Sequence, residues 1–166
     1  MLSFVRNVMI AVSMWGAQAW LPATAAVTEG DPVPQLEVLA IDGSTIDPAR
    51  YQGKVVLTVF WATWCHVCMR ELPQFQTLYE KYGGAGFNVV ALSVDEDPAD
   101  VREYLTRARL TYTVAMRTAE VKSAWGPVQG TPLLFLSDRA GVVRVRHLGA
   151  ADGESLERDI QRLLDE

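Results

Sequence analysis

The sequence has almost no cysteine. Two occur in 166 residues, Cys65 and Cys68, and both belong to one C-x-x-C. No further cysteine is left to build a framework of structural disulfides or to complete a four-cysteine zinc site. Histidine is equally sparse, at His66 and His147 only. Bases are in the minority: 15 Lys and Arg stand against 20 Asp and Glu, a formal net charge of −5. An acidic chain with scattered bases offers no footprint for a nucleic acid. Internal repeats and low-complexity tracts are absent too. With 49% hydrophobic and 21% charged residues, what remains is an ordinary globular composition.

Charge is missing altogether from Asn7 to Thr28. This stretch follows a short positive start, Met1–Arg6, and contains small-residue sites at Ala17-Gln18-Ala19, Ala23-Thr24-Ala25 and Thr24-Ala25-Ala26. The order predicts a secretory signal peptide over residues 1–26. The rival is an uncleaved membrane anchor, since the charge-free run is long enough to span a bilayer, although Gly16, Gln18 and Pro22 weaken such a helix. Either one places the rest of the chain in the periplasm or an equivalent extracytoplasmic space. Residues 27–35, with Gly30, Asp31, Pro32 and Pro34, read as a linker.

Beyond it, strand and helix patterns alternate. Leu36–Ile46 predicts a short hairpin turning at Asp42-Gly43. Lys54–Trp61 is β-rich and apolar on both faces, as a central strand should be. A helix is expected from about Cys65 to Tyr82, ended by Gly83-Gly84, and a second central strand over Asn88–Val94. Asp97 caps a helix with Pro98 at its first position, running to about Arg109. Tyr112–Ala115 reads as a strand, Ala119–Trp125 as a short helix, and Leu133–Leu136 with Val142–His147 as a hairpin. Ser155–Leu164 closes the chain as a helix with Leu156, Ile160, Leu163 and Leu164 on one face. This order predicts an α/β fold: a central mixed sheet with helices on both faces.

The cysteines fall where a strand ends and a helix begins. A helix N-terminus presents free N–H groups and a partial positive charge, and both favour a thiolate. The thiolate is the form that attacks a disulfide. Cys65 is therefore expected to be the nucleophile. Cys68, one turn on, resolves the mixed disulfide and closes a redox-active Cys65–Cys68 bond. The bland alternative is half of a metal knuckle, for which no second C-x-x-C exists.

The stretch Val59-Phe60-Trp61-Ala62-Thr63-Trp64-Cys65-His66-Val67-Cys68 resembles the active-site strand and turn of thioredoxins. Pro73 matches the proline that kinks the thioredoxin active-site helix, and Gly130-Thr131-Pro132 looks like the cis-proline loop. More narrowly, Ala62-Thr63-Trp64-Cys65 with Glu71 and Pro73, the extra segment from about Ser93 to Val114, and the N-terminal hairpin and leader resemble the TlpA/ResA-like branch. That resemblance implies a thioredoxin-like domain over residues 36–166, with an N-terminal hairpin and an extra central βα insert. It implies a thiol–disulfide oxidoreductase needing no cofactor and no metal, acting on disulfide- or dithiol-containing proteins. Reduction is the expected direction, for example in cytochrome c or copper-site maturation. A membrane thiol-reductant transporter would supply electrons.

The resemblance also suggests roles for neighbours of the pair. Pro132 would be cis and face the cysteines, leaving the Thr131 backbone for strand-like pairing with substrate. Trp64 would share that contact surface, with Trp61 and Trp125 in the core. Glu71, three residues after Cys68, would carry protons for it; the alternative is a solvated helix glutamate. Val59 departs from thioredoxins proper, which have a buried acid there, and this favours Glu71. His66 is a second departure. A cation beside Cys65 would stabilise its thiolate and make the protein more oxidising, unless the ring is exposed and neutral. His147 reads as a strand residue without chemistry. Asp95, Glu96, Asp97 and Asp100 read as acids gathered at a helix start rather than a cation site. Two other functions fit a C-x-x-C: a copper-binding metallochaperone using both thiols and a histidine, and a thiol peroxidase.

Overall fold

A computed structural model describes residues 26–166. The leader expected over residues 1–26 lies outside the described residues, apart from Ala26.

The centre of the molecule is the strand β3, Val55–Trp61, buried along its whole length. It pairs in parallel with β4 (Phe87–Ser93) and antiparallel with β6 (Leu133–Ser137). β5 (Thr113–Met116) lies outside β4, and β7 (Val143–Leu148) outside β6, giving the order β5-β4-β3-β6-β7. A strand flanked on both edges and both faces has no polar surface to meet, which is why Val55-Val56-Leu57 and Val59-Phe60-Trp61 read as a continuous apolar run. The expected hairpin forms as β1 (Val38–Leu39) and β2 (Thr45–Ile46), with Gly43 at φ +87° in its turn.

Side chains alternate across the sheet and create two cores. On one face Leu57, Val59 and Trp61 meet α1 (His66–Tyr82), α2 (Pro98–Ala108) and α4 (Gly153–Asp165). On the other, Val56 and Phe60 meet the hairpin, α3 (Ala119–Trp125) and Val27. The extra segment expected from about Ser93 to Val114 holds α2 and leads into β5, which lies at one edge of the sheet beyond β4.

Element ends differ from the sequence reading by a residue or two, for local reasons. β4 starts at Phe87 because Gly86, at φ +101°, turns the chain and its carbonyl already accepts from Val55 N–H. β5 starts at Thr113, and Tyr112 before it is buried, with its hydroxyl donating to the Leu72 carbonyl at 3.2 Å. α4 starts at Gly153 because the Asp152 carboxylate caps Ser155 N–H. The α2 cap is the expected one: Asp97 accepts from Ala99 N–H at 2.7 Å, with Pro98 opening the helix.

The stretch read as a linker, 27–35, is docked in its first part. Val27 N–H donates to the Trp125 carbonyl, Gly30 N–H to that of Val143, and Val33 N–H to that of Gly141, while Val143 N–H donates back to Asp31. The Glu29 carboxylate accepts from Arg146 N–H at 3.0 Å. Gly126 permits the approach: its φ is +80°, and a Cβ there would stand 2.6 Å from the Ala26 Cα. The Gly and Pro residues that looked like spacers instead shape a strand-like run along β7.

Candidate active site

The turn Ala62–Cys65 leaves the end of β3 and enters α1. Cys65 is the N-cap of α1, in extended conformation, and its sulfur accepts from Cys68 N–H at 3.2 Å. The backbone thus aims a donor of the first helical turn at the first sulfur, where a thiolate would gain most from it. Cys65 and Cys68 are joined as a disulfide. Cys65 is 7% exposed and Cys68 1%, so the first sulfur is the more accessible to a partner. Trp64, next in line, is 65% exposed, whereas Trp61 is fully buried and packs on Tyr104.

The Thr131–Pro132 bond is cis, and the Thr131 carbonyl oxygen lies 3.5 Å from Cys65 Sγ. The loop before β6 is thereby brought against the sulfur pair. Thr131 lies outside the β6 ladder, which begins at Leu133. Pro73 sits inside α1 as the resemblance implied. Val59 is 1% exposed on the α1 side of the sheet, so an apolar side chain fills the place of the thioredoxin acid.

Glu71 is buried, with 5% of its surface exposed. Its Oε1 accepts from Ala151 N–H at 2.6 Å, while Oε2 has no partner among the described residues. Burial pushes the Glu71 carboxyl above the usual carboxylate range; the Ala151 N–H and the charges of His147 and Arg70 oppose that push. A buried carboxylate with one bare oxygen is suited to accept a proton at that oxygen. His66 opens α1 on an exposed position beside Cys65.

Two contributors escape a reading of the sequence. Asp95, grouped there with the acids of a helix start, instead holds the active-site turn. Its carboxylate accepts from Thr63 N–H at 3.0 Å, from Thr63 Oγ1 at 2.7 Å and from Ser93 Oγ at 2.6 Å. Only Asp97 caps α2. We expect Asp95→Ala to lower the unfolding free energy of the oxidised protein by about 1–3 kcal/mol, since it leaves the Thr63 donors without their acceptor. Asp95→Asn, which keeps one acceptor oxygen, is expected to cost less. Urea unfolding of the three proteins measures the difference, and equal midpoints would show the turn to be held without Asp95. The second contributor is the loop Gly149–Asp152 after β7. Ala151 supplies the Glu71 bond, and His147 Nε2 bonds the Ala150 carbonyl at 2.8 Å. The spacing of Asp95 from Thr63 carries no periodic signal, and Glu71 and Ala151 are 80 residues apart in the sequence.

Comparison with known proteins agrees with this geometry. The Redoxin family matches residues 28–164. The chain is 31% identical over 141 residues to the thiol-disulfide oxidoreductase ResA of Geobacillus kaustophilus, covering 83% of this chain and 79% of that protein. It is 30% identical over 135 residues to ResA of Bacillus thuringiensis subsp. konkukian, covering 81% of this chain and 78% of that protein. Among solved structures, one from Chlorobium tepidum described as a thiol:disulfide interchange protein DsbE superposes with a TM-score of 0.77 at 32% identity, over 84% of this chain and 99% of that one. With a redox-capable C-x-x-C at a helix start and a cis-proline loop against it, the chain belongs to the Redoxin family, as a TlpA/ResA-like thiol–disulfide oxidoreductase of thioredoxin fold.

Proposed function

We propose that this oxidoreductase reduces disulfides of proteins outside the cytoplasm, with Cys65 attacking, Cys68 resolving and Glu71 taking the Cys68 proton. One observation carries the order of events: Cys68 N–H is aimed at Cys65 Sγ, the more accessible of the two sulfurs.

In the reduced protein the Cys65 thiolate attacks one sulfur of a substrate disulfide. A Cys65–substrate bond forms and the other substrate sulfur leaves as a thiolate, which takes a proton from water. Cys68 then gives its proton to Glu71 Oε2, and its thiolate attacks Cys65 Sγ. The Cys65–Cys68 bond closes and the remaining substrate sulfur departs as a thiolate, which is protonated in turn. Two electrons pass from the protein dithiol to the substrate disulfide. A second dithiol must return them, and a membrane thiol-reductant transporter is the partner we assign to that step. Cytochrome c and copper-site maturation are processes that consume such reduced thiols.

Trp64 and the Thr131–Pro132 loop supply the contact surface. An extended substrate segment pairs with the Thr131 backbone while its cysteine meets Cys65. His66 sits where a positive ring would favour the Cys65 thiolate. The N-terminal segment, residues 1–26, with its positive start and the charge-free run that begins at Asn7, supports an extracytoplasmic setting as a signal peptide or an anchor, ahead of a domain over residues 36–166.

The test is Cys68→Ser, which removes the resolving thiol. Expressed in its own compartment, this variant should accumulate mixed disulfides through Cys65. Diagonal electrophoresis should release cysteine-containing extracytoplasmic proteins on reduction. A folded Cys68→Ser protein that traps nothing would overturn the proposal. Trapped partners confined to the cytoplasm would overturn its location.

A further inference from the structure

Neighbouring residues of one loop hold the two groups that sequence reading kept apart. Ala151 N–H donates to Glu71 Oε1 at 2.6 Å, and the Ala150 carbonyl accepts from His147 Nε2 at 2.8 Å. A carbonyl oxygen only accepts, so Nε2 carries the hydrogen. In the same loop Gly149 N–H donates to the Pro132 carbonyl at 2.9 Å. Gly149–Asp152 therefore touches the cis-proline loop, the histidine and the buried carboxylate.

The charges around Glu71 come from three elements. Arg70 lies on its own helix, and His147 on β7. Glu154 and Glu157 of α4 line the groove that Glu71 borders, and Glu157 is engaged by Lys81 and Tyr82 at 2.6 Å each. Beside His147, Asp152 and Asp159 line a cavity of about 290 Å³ with Leu134, Val145 and Ala151.

We propose that His147 is a positioning residue for thiol exchange: through the Ala150 carbonyl it fastens the Gly149–Asp152 loop, whose Ala151 N–H holds Glu71, the carboxylate that receives the Cys68 proton. This rests on the reading of Glu71 as proton acceptor. In the step concerned, the proton leaves Cys68 Sγ and arrives on Glu71 Oε2. No electron moves, and the imidazolium neither gives nor takes that proton. Burial raises the proton affinity of Glu71 and the His147 charge lowers it, so the histidine offsets part of the cost of keeping a carboxylate in that place. The sign follows directly. Without the His147 charge, Glu71 holds its proton to higher pH, fewer carboxylates are available in mildly acidic solution, and the acid limb of the rate profile moves upward in pH.

The test uses His147→Gln, whose amide nitrogen takes the place of Nε2 opposite the Ala150 carbonyl but cannot charge, alongside His147→Ala and Glu71→Gln. Carboxyl NMR of the oxidised protein follows Glu71 directly, and stopped-flow measurement of Cys68 resolution against pH follows the reaction. In His147→Gln the Glu71 midpoint should rise, and resolution at mildly acidic pH should slow by roughly threefold to tenfold, the range expected for loss of one partly screened charge. At alkaline pH the rate should return to that of the unaltered protein. An unmoved Glu71 midpoint in His147→Gln overturns the role of the histidine's charge. If His147→Ala is unmoved as well, its loop-fastening role falls with it. Glu71→Gln decides the underlying reading separately: a pH profile identical to the unaltered protein removes Glu71 as proton acceptor, whatever the histidine variants show.

Discussion

Cys65→Ser is expected to bring disulfide exchange down to the uncatalysed background, a loss of at least about 10³-fold. Three features combine to make the loss so large. The attacking atom must form a bond to sulfur, and a serine oxygen forms no stable equivalent. The stabilising donor, Cys68 N–H, is fixed at the helix start and serves only the side chain at position 65. The chain has no other cysteine to substitute, since Cys68 is 1% exposed and the sequence holds only two. The measurement is turnover of a small disulfide-bonded protein in the presence of excess dithiol, with circular dichroism to establish that the variant is folded. Cys68→Ser should behave differently, stopping after one attack with the substrate attached. If instead Cys65→Ser kept turnover and Cys68→Ser lost it without trapping, the assignment of attacking and resolving sulfurs would be reversed.

The largest expected effect on stability is that of Phe60→Ala, about 3–5 kcal/mol. Phe60 is fully buried on the face of β3 opposite α1. Its ring meets Trp125 at 5.6 Å and Phe135 at 6.1 Å between centroids, both edge-on, and those two rings lie 4.8 Å apart. Truncation loses the transfer energy of a benzyl group and leaves a void between two rigid rings that β6 and α3 hold in place. Set against a total stability of about 5–15 kcal/mol, the loss should lower the melting temperature by roughly 6–20 °C. Denaturant unfolding of the oxidised protein reads it. A change under about 1 kcal/mol would mean that the hairpin and α3 collapse into the void, and that this face is less tightly packed than the ring distances imply. Because Trp125 also receives Val27 N–H at its carbonyl, the variant should loosen the docked N-terminal run as well.

The residues most legible in the sequence are those whose physics is local. The Asp42-Gly43 turn follows from a glycine at positive φ between short apolar runs. Asp97 and Pro98 open α2 through a cap and a fixed dihedral. Val55–Trp61 announces a central strand by being apolar on both faces. Cys65 and Cys68 are legible because their chemistry requires their spacing. What escaped depends on contacts between distant residues. Gly30, Asp31, Pro32 and Pro34 carry the composition of a linker, and only β7, far along the chain, turns them into a strand-like run. Asp95 looks like its acidic neighbours until the fold brings Thr63 to it. His147 looks like any strand histidine until the loop behind it is seen to hold Glu71.

The docked N-terminal run bears on how the protein meets other chains. An unpaired sheet edge invites any extended strand to add to it, and so invites aggregation. Here each edge is occupied in part by the first portion of the described chain, at the start of β7 and along β5. Gly30–Val33 lies along β7, and Ala40 and Ile41 of the hairpin pair with Val114 and Ala115 on β5. A thiol–disulfide exchanger meets other chains through their cysteines, and an extended chain seeks strand partners. With those stretches of edge covered, fewer strand positions are left open to such a chain besides the backbone of Thr131 beside the sulfur. The same hairpin and N-terminal run that complete the second core thus also shorten the stretches of sheet open to a stray strand.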